Sequence, residues 1–266
     1  MKTLFYLTLT AIVLCFQSCN GSKEIQSEVA VYAPISDFIF QGSVKVLHTS
    51  TIDAIDPEAL GVVRVTNIIK KSNAFGDITG KDITIKFSDL RNLNEGDNYI
   101  FFSNPYFIGE EIAVVETGRM KPDESKYSIS ELKSEIAETT KKFNDDKLKE
   151  RIQKSELIVF GTIVSVNVVK SENKLDSEHD PMWAEAEVQI DETLKGNSDK
   201  TVLLIFPSSE DIAWVNTPKF KKGDKGVYLL RKTQIIKRWF GRFVLTDKED
   251  FITDKEGIDK IKSLSK

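Results

Sequence analysis

The residues best suited to chemistry lie in one short acidic stretch. Asp176, Glu178, His179 and Asp180 offer carboxylate oxygens and an imidazole nitrogen that could hold a cation. Their spacing matches neither a calcium-binding loop nor a zinc motif. A solvated loop is the simpler interpretation, so we predict no metal site and no cofactor.

Catalytic motifs are absent from the sequence. The 266 residues contain two histidines, His48 and His179, and no GxSxG, HExxH or phosphate-binding glycine loop. These observations favour a protein that is not an enzyme. A triad assembled from distant residues leaves no such motif, so a hydrolase stays open as an alternative.

Basic and aromatic residues alternate in a second stretch, KRWFGRF, from Lys237 to Phe243. Small β-barrels bind oligonucleotides or oligosaccharides on strand faces with this mixture of side chains. Trp239 and Arg242 are therefore candidate ligand-binding residues, together with Trp183 and Trp214, which border loops of the same half of the chain. The alternative is structural: the stretch forms a fifth strand whose aromatic side chains close a barrel, and the tryptophans anchor loops.

Two copies of one strand pattern must position these residues. The second copy starts at Leu157 and reads LIVFGTIVSVNVVK, WAEAEVQIDETLKG and KTVLLIFP. About 120 residues earlier, FIFQGSVKVLH, VVRVTNIIKK and KDITIKF follow in the same order. Strand-length apolar runs separated by turn residues predict a duplicated small β domain.

Alternation within the copies predicts which strand faces are buried. In WAEAEVQI, small and apolar residues alternate with polar ones, which predicts one dry face and one acidic wet face. Gly42 and Gly161 occupy the same place in the first strand of each copy. A glycine inside a strand often marks a bulge or a sharp bend, and we expect one at both positions.

The order of elements resembles a known barrel. A short helix, LIVFGTIVSV, a strand ending in TLKG, TVLLIF and a Gly-Asp turn before VYLL are similar to the OB-fold barrel of tissue inhibitors of metalloproteinases and netrin-type modules. The resemblance implies a mainly β protein with two tandem five-stranded barrels. Those inhibitors use disulfides and a free amino-terminal cysteine that ligates the protease zinc. This chain departs from both features, but a hydrolase inhibitor of the envelope stays open as an alternative.

The amino terminus has the layout of a secretory signal. Lys2 precedes an apolar run from Leu4 to Phe16, and small or polar residues follow. The run is shorter than the roughly 20 residues that a membrane-spanning helix needs. A cleaved signal peptide is therefore predicted.

The segment FQSC, which ends at Cys19, resembles the lipobox of bacterial lipoproteins. The resemblance implies cleavage after Ser18 and lipidation of Cys19, and Asn20 at the next position favours the outer membrane. Whether the protein faces the periplasm or the cell surface stays open. The alternative is an ordinary signal peptide that leaves Cys19 as a free thiol.

Helical periodicity between the copies, together with the capping-box spacing of Ser128 and Glu131, predicts two short helices there. Five regions follow from these patterns. They are a signal peptide at 1–18, a lipidated tether at 19–36, a first OB-like barrel at 37–120, a helical linker at 121–155 and a second OB-like barrel with a short C-terminal helix at 156–266.

Net charge and predicted location together suggest the function. Loss of Lys2 leaves 36 basic against 41 acidic residues, a net charge of −5, so we expect no nucleic acid partner. The expected partners are the membrane, through lipid on Cys19, and an unknown envelope protein or glycan. The sequence thus predicts a lipid-anchored binding or scaffolding module of the cell envelope.

Overall fold

The computed structural model describes residues 28–51, 59–108, 111–122, 128–169, 179, 181–234, 236 and 239–265. The predicted signal peptide, Cys19 and the first half of the tether, up to residue 27, lie outside the described residues. The chain divides into two compact units, residues 1–142 and 143–266. None of the helices in the described part of the chain is long and apolar enough to cross a membrane.

The first unit is a closed barrel of five strands. A short helix α1 (Glu28–Tyr32) and a 3-10 turn precede the barrel, whose strand order is β1-β2-β3-β5-β4. β3 and β5 are parallel and the other neighbours are antiparallel, so the five-stranded barrel predicted for the first copy is present. The strands are β1 (Phe38–Leu47), β2 (Leu60–Lys70), β3 (Asp82–Lys86), β4 (Asn98–Ile108) and β5 (Glu111–Met120).

One helix of 26 residues, α2 (Ile129–Lys154), follows the first barrel. It begins with a capping box, in which the Ser128 amide donates to Glu131 Oε2 at 2.8 Å and the Glu131 amide donates to Ser128 Oγ at 3.3 Å. The prediction of two helices was wrong. No glycine or proline lies within the segment, so nothing in its backbone forces a break.

The second unit is a six-stranded sheet with the order β10-β8-β7-β6-β9-β11. The helix α3 (Lys255–Leu264) ends the chain. The strands are β6 (Leu157–Val168), β7 (Trp183–Lys195), β8 (Thr201–Pro207), β9 (Lys225–Leu230), β10 (Phe243–Val244) and β11 (Phe251–Ile252).

The second five-stranded barrel that was predicted is instead an open, half-barrel sheet, because the fifth strand is split. β10 pairs with β8, β11 pairs with β9, and a 3-10 turn at Lys248–Asp250 separates the two pieces. That turn is fixed by Asp250, whose carboxylate accepts hydrogen bonds from Arg151 and Arg231. An isolated bridge between Lys232 and Phe243 joins the end of β9 to β10 in place of a full ladder.

The bends predicted at the two strand glycines are present. The pairing register shifts between Gln41 and Gly42 in the first unit and between Phe160 and Gly161 in the second. A Cβ on Gly42 would lie 2.9 Å from the carbonyl oxygen of Arg64. Each glycine therefore permits a close approach of the neighbouring strand at the point where the first strand bends.

Candidate ligand-binding site

The outer face of β7 forms the base of the candidate site. Ala184, Ala186 and Val188 point inward and belong to the core of the second unit. The residues that alternate with them, Trp183 and Glu185, therefore lie on the outer face, where both are half-buried.

The segment between β9 and β10 returns over this outer face. The ring of Trp239 meets the ring of Trp183 edge to face, with centroids 6.1 Å apart and an interplanar angle of 70°. Arg242 Nη2 donates to Glu185 Oε2 at 2.6 Å. Trp239 is 8% exposed and packs against β7 from outside. The described part of the aromatic stretch, residues 239–243, is therefore not a fifth strand closing the barrel; of these residues, only Phe243 is a strand residue packed against the core.

A tight turn places Trp239 and Arg242 on the same face. The Arg242 amide donates to the Trp239 carbonyl at 2.8 Å, and the Thr233 amide donates to the Arg242 carbonyl at 2.9 Å. Gly241 has φ +74°, a backbone conformation that glycine adopts without strain. Lys237 and Arg238, which belong to the same stretch, lie outside the described residues.

Trp214 completes a group of three rings, which we call the tryptophan cluster: Trp183, Trp214 and Trp239. Trp214 ends a 3-10 turn, and its ring centroid lies 6.3 Å from that of Trp183. Its indole N–H donates to the carbonyl of His179 at 2.8 Å. Trp183 thus contacts both other rings, and the structure brings all four candidate ligand-binding residues into one region.

Lys219 is a further cation of this region that the sequence analysis missed. Its ammonium donates to the carbonyls of Pro207 and Trp214, both at 3.1 Å. Burial lowers the pKa of Lys219. No motif surrounds Lys219 in the sequence. The pairing of Glu185 with Arg242 was missed as well, because it joins two segments that are far apart in the chain.

His179 serves as a loop contact in the described structure. Its Nδ1 lies 3.0 Å from Asp211 Oδ2. The pKa of Asp211 is lowered, first by a hydrogen bond from the Ala213 amide and then by His179. The other acidic residues of the predicted loop, Asp176, Glu178 and Asp180, lie outside the described residues. Within the described ranges, no group of three or more His, Cys, Asp or Glu side chains is arranged to hold a metal ion.

Comparisons with known proteins add a weak likeness of fold. No protein-family model matches the chain, and no curated protein matches it. The chain is similar to the wild-type single-stranded DNA binding protein from Thermus aquaticus, at 9% identity over 78% of this chain and 89% of that chain, with a TM-score of 0.17. It is also similar to a deletion mutant of that T. aquaticus protein, at 12% identity over 82% and 95% of the two chains, with a TM-score of 0.19.

One expectation from the sequence is corrected beside these matches. Nucleic acid was excluded as a partner because of the net charge, yet both solved structures are single-stranded DNA binding proteins. Net charge sums over the whole chain and does not report where the basic residues lie. The exclusion is therefore withdrawn, and binding experiments include nucleic acid.

The matches do not go further. TM-scores below 0.2 carry no argument about the ligand of this chain. Neither structure is a tissue inhibitor of metalloproteinases or a netrin-type module, so that finer resemblance stays a prediction. The strand order of the first unit, β1-β2-β3-β5-β4, shows an OB-like barrel, and the second unit is an open variant of the same order.

Proposed function

We propose that the chain is a lipid-anchored binding module of the cell envelope. Its ligand contacts the outer face of β7 beside the tryptophan cluster. The observation that carries this proposal is the convergence of all three tryptophans of the chain, with Arg242 and Glu185, on one face of the second unit.

The chemistry of the face suits a ligand with flat or apolar ring faces. Aromatic side chains stack on nucleobases and on the apolar faces of sugars, while a paired guanidinium and carboxylate offer donors and acceptors to the polar edge of a ligand. In OB-type barrels, ligands bind on the second and third strands and the adjoining loops. β7 and β8 hold those positions in the second unit.

Attachment to the membrane is part of the proposal. The lipobox-like FQSC supports acylation of Cys19 and an outer-membrane location. Mass spectrometry of the mature amino terminus tests this step, because an acylated terminus begins at Cys19 and carries the mass of the lipid. A terminus without lipid would contradict the anchor and leave the binding proposal untouched.

The binding proposal has a built-in probe. All three tryptophans of the chain lie in the cluster, so intrinsic tryptophan emission reports on this site alone. We expect one of three titrants, a single-stranded oligonucleotide, an envelope oligosaccharide or an envelope protein fraction, to change that emission in a saturable way.

Variants then test the residues. Trp239→Ala should weaken binding about tenfold, because the buried Trp239 ring supports the half-buried Trp183, whose ring is able to stack on a ligand. Trp239→Phe should retain most of the affinity, and Arg242→Ala should lose a part of it. The matched control is Lys225→Ala, which breaks an exposed ion pair with Asp191 elsewhere in the same unit.

Two outcomes would contradict the proposal. One is equal loss of affinity in Lys225→Ala and Trp239→Ala while both remain folded by circular dichroism. The other is turnover of a substrate panel by the purified protein, which would show catalysis rather than binding.

A further inference from the structure

A cleft lies in the wall of the first barrel at the point where β1 begins. β1 runs between β2 and β4; its first pair with β4 is Phe38 with Ser103, and its first pair with β2 is Ile39 with Lys70. Both neighbours continue past that point, β2 into residues 71–74 and β4 beyond Ser103. The gap between them holds a cavity of about 560 Å³. Cavities of this size are typical of sites for small molecules.

The side chains along one wall of the cleft are rich in hydrogen-bond donors. Ser72 is buried, and its Oγ accepts from the Ala74 amide at 3.1 Å, which leaves its own proton for another acceptor. Lys71 and Asn73 line the same wall and are exposed. An ammonium group has three donors and no acceptor, and an amide side chain has two donors. This set of groups suits a ligand that is rich in acceptors.

Lys70, which also lines the cleft, is a half-buried cation. Its ammonium donates to the Ser36 carbonyl at 2.6 Å and to the Ala33 carbonyl at 3.4 Å, so these contacts use two of its three donors. Burial lowers the pKa of Lys70, and the Asp37 carboxylate offsets this effect only in part. Within the described ranges, no carboxylate forms an ion pair with Lys70. A cation that is partly removed from water in this way gains strongly from an anionic partner.

The charge balance of the cleft is positive. Among the described residues that line it, Lys70 and Lys71 carry positive charge and Asp37 carries negative charge. The edge of β4 is poorly suited to pairing with an added strand here, because Pro105 has no amide hydrogen. The side chain of Asn104 is already engaged, since its Oδ1 accepts from the Asp37 amide at 2.8 Å. A small anion therefore fits the cleft better than an extended peptide.

We propose that this cleft binds a small molecule through an oxyanion, which is a phosphate or a carboxylate group. The ammonium groups of Lys70 and Lys71 supply the charge, and Ser72 and Asn73 supply further donors to the oxygens. The site consists of residues of the first unit alone, whereas the proposed function uses residues of the second unit. It is therefore a second binding function of the chain.

An NMR titration of residues 20–266, which retain every described residue, tests the proposal. The probes are inorganic phosphate, glycerol 3-phosphate and succinate, with sodium chloride at equal ionic strength as the reference for unspecific charge effects. We expect saturable shifts of the amide signals of residues 70–74 with at least one probe and not with chloride. A response to the phosphates alone or to succinate alone supports the proposal and identifies the oxyanion that the cleft prefers.

Substitutions of opposite charge locate the site. Lys71→Met should weaken binding about three- to tenfold, because one cation near the oxyanion is lost. Asp37→Asn should strengthen binding by about twofold or more, because the competing carboxylate is lost. The matched control is Lys45→Met, which removes an equal charge from β1 roughly 26 Å along the strand from Asp37, well beyond the Debye length of about 8 Å. It should bind within about twofold of the unsubstituted chain.

Lys70→Met should weaken binding most, by at least about tenfold, because it removes the cation that is least hydrated. This lysine also holds the helix end ahead of β1, so circular dichroism must show that the variant is folded. The decision rests on Lys71→Met and Asp37→Asn, which leave those helix-end contacts in place.

Three results would overturn the inference. They are the absence of saturable shifts beyond those of chloride, equal weakening by Lys71→Met and Lys45→Met, and weaker binding by Asp37→Asn. Failure of the proposed function gives a different pattern, because all three tryptophans lie in the second unit and these titrations follow amides of the first. A missing emission response with intact amide shifts would contradict the proposed function alone, and the converse would contradict the oxyanion site alone.

Discussion

The two units are built alike as far as their fourth strand and differently beyond it. Ahead of β1, the hydroxyl of Ser36 donates to the Tyr32 carbonyl at 2.8 Å. Ahead of β6, the hydroxyl of Ser155 donates to the Arg151 carbonyl at 2.7 Å. Both serines are buried, so each helix ends in the same way before its first strand.

The likeness extends to the second strand. The ammonium of Lys70, at the end of β2, donates to the Ser36 carbonyl at 2.6 Å. Lys195, at the end of β7, donates to the Ile152 carbonyl at 2.7 Å. A cation placed on the free carbonyls of a helix end stabilises that end. The two units thus share contacts that the apolar pattern alone does not reveal.

After the fourth strand the two units differ in structure. In the first unit, β5 has 10 residues and pairs with both β3 and β4, which closes the ring. In the second unit, two pieces of two residues each replace that strand. The chain between β9 and β10 instead lays Trp239 and Arg242 on β7. The candidate site therefore lies where the repeat breaks down.

Core substitutions test the shared part of the two units and should have the largest effect. Phe101 and Phe206 are 0% and 1% exposed in the two cores. Phe101→Ala and Phe206→Ala should each lower the free energy of unfolding by about 3 to 5 kcal/mol. Tryptophan emission during denaturant unfolding follows the second unit alone, and hydrogen exchange by mass spectrometry follows the first.

The control for Phe206→Ala is Glu187→Ala, on the outer face of β7, which should stay within about 0.5 kcal/mol. Comparable losses from the two substitutions would show that the inward and outward faces of these strands are wrongly assigned.

Removal of Arg151 tests what replaces the missing fifth strand. Arg151 Nη1 donates to Asp250 Oδ1 at 2.9 Å, and the Asp250 side chain is 5% exposed. Arg151→Met should lower the free energy of unfolding by about 2 to 3 kcal/mol, since the buried Asp250 carboxylate keeps its ion pair with Arg231 but loses the one with Arg151. Denaturant unfolding followed by tryptophan emission measures this change.

The first unit supplies the matched control. Tyr32 precedes β1 as Arg151 precedes β6, and the backbone carbonyl of each accepts a hydrogen bond from a serine. The side chains differ, because the Tyr32 ring packs on the Phe102 ring with centroids 5.7 Å apart. Tyr32→Phe keeps the ring and should change stability by about 0.5 kcal/mol or less. A similarly small effect of Arg151→Met would mean that the ion pairs do not hold the split strand.

Alternation and turn residues predicted the first barrel, because its contacts are mostly between strands adjacent in sequence. The capping box at Ser128 and the bends at Gly42 and Gly161 are also local, and the sequence predicted all three. The continuous helix α2 was missed because Asn144 and Asp145 weaken a helical pattern without breaking it.

The open second sheet was not predictable in the same way. It depends on Arg151 and Asp250, which are 99 residues apart. The sequence singled out Trp239 and Arg242 by composition, but their contacts with Trp183 and Glu185 are long-range. That they bind a ligand stays a prediction.

Glycine substitutions test whether the first strand of each unit needs a close approach of its neighbour. A Cβ on Gly42 would lie 2.6 Å from Val63 Cγ1 and 2.9 Å from the Arg64 carbonyl oxygen, and one on Gly161 would come closer still to the Gln189 carbonyl oxygen. Gly42→Ala and Gly161→Ala should each lower the free energy of unfolding by about 1 to 3 kcal/mol, with the larger loss at Gly161 because its backbone clash is the more severe.

Gly76→Ala is the control, since nothing lies within 4 Å of a Cβ there. That variant should be neutral or slightly stabilising, by up to about 1 kcal/mol. Thermal unfolding by circular dichroism compares the three, and equal behaviour would mean that close strand approach is not the reason for glycine.

The smallest expected effect concerns pH. Burial alone would raise the pKa of Asp247, but hydrogen bonds from the Glu249 amide and from Arg151 outweigh burial and leave the pKa below the ordinary value of 3.8. The carboxylate therefore stabilises the fold fully above about pH 4, and this contribution disappears as pH falls through the lowered folded-state pKa.

Asp247→Asn should accordingly lower the free energy of unfolding by about 1 kcal/mol or less at pH 7, after screening by solvent, and by progressively less as the pH falls below about 4. Asp82, paired with Arg64 in the first unit, also has a lowered pKa, chiefly through the hydrogen bond from Arg64, but the side chain of Arg64 is 46% exposed, against 19% for Arg151. Asp82→Asn should therefore cost less, since a more exposed pair is screened more strongly. Urea midpoints across this pH range, read by tryptophan emission for Asp247 and by hydrogen exchange for Asp82, measure both effects. An Asp247→Asn loss that is equal at pH 7 and pH 2 would show that the turn needs the shape of the side chain and not its charge.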